Sequence, residues 1–389
     1  MVPVLRKLPI EIARVSCFVN DSFLKIDLGK KTRVLSSAVY NGGLAETRTI
    51  VNFRVPKNFS KAPDRFIKAK LSEFNISQDA VCLMTAANMN SACVKTAHFG
   101  SSAISAICTA GLSNPQCAGD PIPRNRNKTL RVISTINLII VLEGHATDGC
   151  LANMIITASE AKASVMRDLD VRSKSTGKLA TGTSTDSMVV VCLDGKDKFD
   201  YSGTATELGH HLAMVVKESI TESIAKQDGL LKSRALVERL EERGILLDDL
   251  VSAAMKLITN GSKMEEKELR FRVKKAIIEA SSDPNVSSLV IAALDLEDQG
   301  KIGLIPFLPE SDYGKDPIYL VADEDIGEMI ARYISGTRGI HNFRFYDRHK
   351  PGIVGRLGPF LDDAMCGLIG GAMSRMYSEM EGEGAIKSQ

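Results

Sequence analysis

The chain has no tryptophan, and aromatic residues make up only 5% of its 389 positions. Surfaces that stack nucleobases are built on aromatic side chains, so a sequence this poor in them is not expected to hold nucleic acid. An excess of one charge is missing too: 49 Lys and Arg stand against 47 Asp and Glu, a net charge of +2. No polyanionic partner is implied by that balance. The eight cysteines form no Cys-x-x-Cys pair, which argues against a disulfide scaffold or a cysteine zinc site. Most lie in apolar contexts such as Val81-Cys82-Leu83 and read as reduced core residues. No apolar run is long enough to span a bilayer, and the N-terminus lacks the apolar core of a signal peptide. What remains is ordinary for a globular protein, 44% hydrophobic and 25% charged, and the length suggests about two domains. A cytoplasmic enzyme is the expectation.

The first part of the chain mixes strand and helix patterns. Val15, Cys17 and Val19, then Leu24, Ile26 and Leu28, alternate with polar residues and predict paired antiparallel strands. Arg33 to Tyr40 leads into Asn41-Gly42-Gly43, a sequence that favours a turn with positive φ and hence a hairpin. Helical spacing follows over Ala62 to Phe74, and Ala80 to Thr85 is a short apolar strand. Leu130 to Leu142 carries apolar residues on both faces, which predicts a strand buried on both sides. Thr135 and Asn137 break that run, and a buried polar side chain needs a partner. A helix is expected over Asp148 to Leu169, with Glu160 and Lys162 on what composition alone would make a solvated face.

Two loops of similar chemistry flank the apolar run Met188 to Leu193. The first is Thr181-Gly-Thr-Ser-Thr-Asp-Ser187. The second, Tyr201-Ser-Gly-Thr-Ala-Thr-Glu-Leu-Gly209, opens a helix whose N-cap is expected at Thr206. Small residues let a backbone approach a ligand, while hydroxyls and carboxylates supply donors, acceptors and a proton. Tight turns that cap a helix explain either loop taken singly; together they point to a site.

After Gly229 the pattern becomes helical almost throughout. Leu236 and Leu240 precede a break at Gly244, and Asp248 or Asp249 is expected to cap the next helix. Further helices are expected over Glu266–Ala280, Ser287–Leu296, Glu324–Ile334 and Asp362–Met376, with a frayed polar tail over 378–389. The predicted fold class is an α+β domain over 1–229, with a mixed, largely antiparallel sheet, followed by an all-α domain over 230–377. Three acidic clusters mark the second domain: Asp323-Glu324-Asp325 and Phe360-Leu-Asp362-Asp363 at helix starts, and Asp347-Arg-His-Lys350 in what reads as a basic loop. Helix capping accounts for acidic residues at N-termini. An oxygen-ligand site for Mg²⁺ that presents a phosphate to Lys350 accounts for them equally well.

Both halves resemble known families. Residues 1 to about 229 resemble the adenosylcobinamide amidohydrolases of corrinoid salvage. The resemblance rests on Val39-Tyr-Asn-Gly-Gly43, Met84-Thr-Ala-Ala87, Asn114-Pro115, Ala118-Gly-Asp120, Thr135-Ile-Asn137, Ile156-Thr-Ala-Ser-Glu-Ala-Lys162, Ala180 to Asp186 and Tyr201 to Gly209, all in order. It implies hydrolysis of the amide that joins aminopropanol to the corrin, releasing adenosylcobyric acid, with the corrinoid as substrate and not as cofactor. Family pattern and chemistry together nominate Asp120, Glu160, Asp186, Glu207 and His210 as acid–base candidates. Thr183 and Thr185 are nominated as oxyanion donors. Substrate contacts are expected from Asn41, Gly42, Gly43, Thr85, Asn137, Lys162, Thr181, Gly182, Thr183, Thr185, Tyr201 and Thr206. Asp186→Asn and Glu207→Gln are each expected to lower turnover far more than stability.

Residues about 236 to 377 resemble the phosphatidylglycerophosphatase A superfamily, through Leu240-Glu-Glu-Arg-Gly-Ile245, Asp347-Arg-His-Lys-Pro-Gly352 and Phe360-Leu-Asp-Asp363. The first motif marks the branch that includes α-ribazole phosphatases. The resemblance implies a phosphomonoesterase with Mg²⁺ as cofactor. The metal is expected on Glu324, Asp325, Asp347, Asp362 and Asp363, and the catalytic set is Asp347, Lys350, Asp362 and Asp363. The fusion then predicts a bifunctional corrinoid-salvage enzyme acting on small molecules: adenosylcobinamide, and α-ribazole 5′-phosphate or adenosylcobalamin 5′-phosphate. A homo-oligomer is compatible with this. The alternative is a corrinoid-binding module without hydrolysis, fused to a phosphatase of phosphatidylglycerophosphate or another phosphomonoester.

Overall fold

The computed structural model describes residues 5–122, 134–230, 232–258 and 264–382. By internal contacts the chain divides into two compact units, Met1–Lys232 and Ser233–Gln389.

The first unit is built on a mixed, largely antiparallel sheet with helices. Its strands are β1 (Arg6–Leu8), β2 (Ser16–Val19), β3 (Phe23–Ser36), β4 (Gly43–Arg54), β5 (Val81–Thr85), β6 (Cys93–Phe99), β7 (Ser102–Thr109), β9 (Asn137–Ala146) and β11 (Ser187–Phe199). A separate small pair joins β8 (Pro115–Gln116) to β10 (Gly182–Thr183). Among the described residues only β4 with β5 and β9 with β11 run parallel. The long β3–β4 hairpin slips register between Asp27 and Thr32. One of its halves pairs with β2 and the other with β11.

Residue alternation explains the layering. In β9 and β11, Leu138, Ile140, Met188 and Val190 pack under the helices α2 (Asp148–Asp168) and α3 (Glu207–Asp228). Their neighbours Ile139, Val141, Val189 and Val191 face the other way, onto Leu24, Ile26, Ile50 and Leu83 of β3, β4 and β5. The expectation of a strand buried on both sides is met by β9, although it begins at Asn137 and continues to Ala146; residues 130–133 lie outside the described residues. Helix α1 (Pro63–Glu73) closes the outer face of β4 and β5 with an aromatic cluster of Phe23, Phe53, Phe66 and Phe74. Thr206 caps α3 by accepting from the Gly209 amide at 3.0 Å, and Gly229 ends that helix in the left-handed region. The hairpin expected at Asn41 is present, with Asn41 at φ 52°.

The second unit is helical: α4 (Leu236–Glu241), α5 (Leu247–Lys256), α6 (Glu266–Ser281), α7 (Pro284–Gly300), α8 (Glu310–Tyr313), α9 (Ala322–His349) and α10 (Pro359–Gly382). The start of α5 corrects the expected cap: Leu246 occupies that position, and Asp248 and Asp249 lie inside the first turn. Helix α10 runs past Ser378, where a frayed tail was expected, and residues 383–389 lie outside the described residues.

The second arm of α9 was not expected as helix. Ser335 and Gly336 break the helical backbone, and the chain folds back on itself. A Cβ on Gly339 would lie 2.1 Å from the Ala331 carbonyl, and one on Gly327 would lie 2.5 Å from the Phe343 ring. Arg344 pairs with Glu328 at 2.6 Å. The element is therefore a helical hairpin, and its two ends, Asp323 and Asp347, finish side by side. Helix α10 lies in the groove between the arms: Cβ atoms on Gly367 and Gly370 would meet the Gly327 carbonyl at 2.3 Å and the Phe343 amide at 2.6 Å. Such contacts admit no side chain, which is why this apolar helix is so rich in glycine.

Candidate active sites

In the first unit, loops from distant parts of the chain meet at Asp186. Its Oδ1 accepts from the Ile136 amide at 3.0 Å and the Thr183 hydroxyl at 2.5 Å. Its Oδ2 accepts from the Thr183 amide at 3.0 Å and the Lys162 ammonium at 2.5 Å. The ion pair is nearly buried, with side-chain exposures of 14% for Lys162 and 10% for Asp186. Lys162 thus leaves the solvated face that composition assigned to it. Gly182 is required here, because a Cβ would sit 2.2 Å from Asp186 Oδ2 and 2.7 Å from Lys162 Nζ.

Around this pair the hydroxyls are tied to backbone. Thr135 donates to the Thr185 carbonyl at 2.7 Å, and Thr185 donates to the Ser134 carbonyl at 3.2 Å. Thr181 accepts from the Ala118 amide at 3.0 Å. The polar break expected at Asn137 finds its partners: its amide donates to the Asn52 side chain and the Met84 carbonyl, both at 2.9 Å. Asn52 in turn donates to Thr109 at 2.8 Å. Asn52 and Thr109 were not singled out from sequence, though each breaks an apolar strand face. Thr85, buried in the same strand as Met84, accepts from the Ala87 amide. The Asn41 side chain donates to the Gln78 and Ala80 carbonyls, which docks the Asn41-Gly42-Gly43 turn beside β5. Asp120 pins a neighbouring loop: its burial raises the carboxyl pKa, but hydrogen bonds from Ser173, the Cys117 amide, Thr176 and Ser175 outweigh that and hold it at about 2. Such a group is a weak base.

The second loop does not join this cluster. Ser187 begins β11 beside Asn137, whereas Phe199 ends it beside Ala146, so Tyr201–Gly209 follows the opposite end of the strand, about 30 Å away by the nine steps of β9 that it spans. Its residues are explained by packing. The Ser202 amide donates to Asn153, the Thr157 hydroxyl donates to the Ser202 carbonyl, and a Cβ on Gly209 would lie 2.0 Å from the Gly203 carbonyl. Tyr201, Glu207 and His210 are exposed there, and Glu160 is exposed on α2. The structure therefore brings Asp186, Lys162, Thr181, Gly182, Thr183, Thr185 and Asn137 together, and leaves Glu160, Tyr201, Thr206, Glu207 and His210 apart from them.

In the second unit four carboxylates are buried: Glu297, which accepts from the Tyr313 hydroxyl, and Asp323, Asp362 and Asp363. Ligand-type atoms of Asp347, Asp362 and Asp363 lie within 4.8 Å of one another, and so do those of Asp323, Glu324 and Asp363. Burial pushes Asp362 up to about 7, with Asp316 and Asp347 adding to the rise and Lys350 opposing it. Asp363 is driven far above the ordinary carboxylate range by burial, a hydrogen bond with Asp347 and the charge of Asp362. Lys350 adopts the left-handed backbone, φ 36°, at the end of α9. That places its ammonium 2.7 Å from Asp362 and 3.1 Å from Asp316. Burial disfavours its charge, but these two carboxylates outweigh that and raise its pKa.

Two corrections follow. Asp347 and Lys350 belong to a helix end and its cap, not to a basic loop. Asp325 is exposed and belongs to neither group, whereas Asp323 belongs to one. Residues two apart on a helix point about 200° away from each other, so one site cannot take both. The signal was present in sequence: Asp323 shares a face with Gly327, Ile330 and Ala331, all buried.

The fit to a divalent cation rests on two oxygens. Asp362 Oδ1 and Asp363 Oδ1 are buried and have no hydrogen-bond partner. Unpaired buried carboxylate oxygens are costly, and a hard cation with oxygen ligands would satisfy them. The donor set is therefore suited to Mg²⁺, which Asp347 and Asp362, or Asp323 and Glu324, would hold together with Asp363.

Comparison with known proteins agrees with both halves. The family model described as adenosylcobinamide amidohydrolase matches residues 9–232, and the one described as phosphatidylglycerophosphatase A matches residues 302–378. An uncharacterized protein of Methanocaldococcus jannaschii is 44% identical over 121 residues, which is 30% of this chain and 92% of its own length. The adenosylcobinamide amidohydrolase of Methanosarcina mazei is 30% identical over 190 residues, 46% of this chain and 84% of its own. Among solved structures, the low temperature requirement C protein of Listeria monocytogenes aligns at 20% identity over 38% of this chain and 94% of its own, with a TM-score of 0.34. No helix among the described residues is long and apolar enough to cross a membrane.

Proposed function

This chain belongs to the adenosylcobinamide amidohydrolase family, and from that premise we propose a bifunctional hydrolase that serves corrinoid salvage from two separate sites. Its domains are amidohydrolase-type and phosphatase-type; the substrates named below are the proposed ones. The first site releases aminopropanol from adenosylcobinamide and leaves adenosylcobyric acid. The observation that carries this is the convergence of family-motif loops on the buried Lys162–Asp186 pair.

In the resting site both Asp186 oxygens are occupied by donors, so Asp186 is no base as it stands. When the substrate carbonyl arrives, Lys162 turns its ammonium to the developing oxyanion, where a charged donor is most effective. That movement frees Asp186 Oδ2 to take a proton from the attacking water and to return it to the departing amine nitrogen as the C–N bond breaks. The Thr183 hydroxyl and the Ile136 amide hold Oδ1 in place meanwhile. The test is free aminopropanol after incubation with adenosylcobinamide: Lys162→Met and Asp186→Asn should each abolish it, and turnover by both variants would remove the pair from the reaction.

The second site takes a phosphomonoester, α-ribazole 5′-phosphate or adenosylcobalamin 5′-phosphate. Bound Mg²⁺ would supply positive charge between the carboxylates and the phosphate dianion, which otherwise repel each other. Lys350, held charged by Asp362 and Asp316, would bind the phosphate oxygens. Asp363 would hold the cation with Asp347 and Asp362, or with Asp323 and Glu324. Phosphate release in Mg²⁺ and in EDTA tests this reading.

A further inference from the structure

The second unit exposes apolar side chains where it has least reason to. Between α7 and α9, Ile302, Leu304, Phe307, Ile318, Tyr319 and Val321 are all more than half exposed, and Phe307 and Ile318 are 101% and 99% exposed. Phe307 holds a left-handed backbone, φ 64°, a conformation that L residues adopt only when their surroundings impose it. The segment is not loose. Leu308 and Tyr313 are buried, the Tyr313 hydroxyl donates to the buried Glu297 at 2.5 Å, and its ring stacks on Phe360 at 6.1 Å. The apolar side chains are thus held out from an anchored loop.

That loop is continuous with the acidic site. Asp316, two residues before Ile318, binds Lys350 at 3.1 Å, and Lys350 binds Asp362 at 2.7 Å. Val321 lies two residues before the buried Asp323. Side chains that protrude line no pocket, and apolar groups held out in this way suit a broad ligand better than a small one. Charge argues against an anionic bilayer as the occupant: Lys301 and Lys315 are paired with Glu297 and Asp312, and Asp316 and the acidic cluster lie alongside. The other unit of this chain belongs to a family whose substrate is itself a corrinoid.

We infer that residues 302–321 form the platform that receives the broad macrocycle of a corrinoid-bearing phosphomonoester, through the ring's methyl-bearing apolar edges, while its phosphate enters the acidic site. This rests on the phosphatase reading above and chooses the larger of its two substrates. Phe307 and Ile318 are specificity-determining residues in this view, lying against those edges of the macrocycle. Both are surface residues, so their replacement leaves the core untouched.

The experiment uses the full chain with Mg²⁺ and compares kcat/KM for adenosylcobalamin 5′-phosphate and α-ribazole 5′-phosphate. The wild-type chain is expected to prefer the corrinoid ester. In Phe307→Ser/Ile318→Ser that preference, the ratio of the two values, is expected to fall about tenfold or more, through KM. A wild-type chain without the preference, or a double variant that keeps it, overturns the inference. If the ratio is kept while the double variant loses cosedimentation with phosphatidylcholine vesicles, the surface is a bilayer contact. If it is kept while the oligomeric state changes, the surface is a contact between copies. Should neither ester be hydrolysed, the phosphatase reading fails and this inference with it, a result distinct from unselective turnover.

Discussion

Replacing Asp186 by Asn probes whether the first site is held by electrostatics or merely by packing. The side chain keeps its shape, but the asparagine NH₂ has to stand where Oδ2 accepted from the Thr183 amide and from Lys162. Two donors then face a donor, and the Lys162 ammonium, 14% exposed, is left without its counter-charge. Removing one partner of a buried ion pair costs about 3–5 kcal/mol. For a unit of this size, each kcal/mol moves the melting temperature by about 2–4 °C, so a fall on the order of 10 °C is expected. Lys162→Met is milder, about 1–3 kcal/mol, because Asp186 keeps three donors. The double variant Lys162→Met/Asp186→Asn should recover part of the single loss, since no charge is then stranded. Thermal melting of the full chain, followed through the transition of its first unit, reads all three. A loss of that size adds a stability cost to the expectation from sequence that Asp186→Asn would lower turnover far more than stability. Melting of Asp186→Asn within about 1 °C of the wild type would refute the reasoning, since two donors would then face a donor, and an ammonium lose its counter-charge, at no cost.

Phosphate release should vanish in EDTA and return with Mg²⁺, and Asp362→Asn and Asp363→Asn should each lower it by about two orders of magnitude or more; melting should fall less for Asp363→Asn than for Asp362→Asn, which removes the charge 2.7 Å from the Lys350 ammonium. Asp323→Asn should impair the same activity while Asp325→Asn leaves it within about twofold; equal effects on turnover would reject the assignment of Asp323 to the site. Glu207→Gln and His210→Ala should keep aminopropanol release within about twofold, as both lie beyond the other end of β11 from Asp186, and a loss beyond tenfold would move the active site to that end of β11. Asp120, held at about 2 by its hydrogen bonds against the opposing effect of burial, contributes stability that is full above its unfolded value near 4 and is lost as pH falls through about 2. Asp120→Asn should therefore flatten the acid limb of the melting curve of the first unit between those values, and an unchanged limb would show that its loop carries no such linkage.

Periodicity carried much of this fold because the buried faces follow the backbone repeat. The alternation in Ile139 to Leu142 and Met188 to Val191 reads directly as a two-faced strand, and Thr206 announces its helix through cap chemistry. The second arm of α9 was missed for a physical reason: its Arg- and His-rich face is exposed, and only contacts with the first arm and α10, which sequence does not display, make it helical. Strand β6 went unread because most of its residues are only partly buried. For the sites, residue types were legible and their convergence was not. Asp186 and Lys162 lie on different elements, and only the tertiary fold decides that Lys162 turns inward. The similarity of the two Thr- and Gly-rich loops suggested one site, yet a 13-residue strand holds them apart.

The hairpin of α9 also fixes where this chain can change length. Its arms face each other in mirrored pairs about Ser335–Gly336, Ala331 with Gly339 and Gly327 with Phe343. One residue removed from within an arm would rotate everything beyond it by about 100° and swing Asp323 or Asp347 out of line with Asp363. Residues added at the turn itself disturb neither arm, since each is already keyed to α10 by its own close contacts. The turn lies about 18 Å from the acidic end, at 1.5 Å per residue. It is therefore the natural point at which to splice a foreign peptide, such as a tether or reporter tag, into the second unit while leaving its chemistry in register.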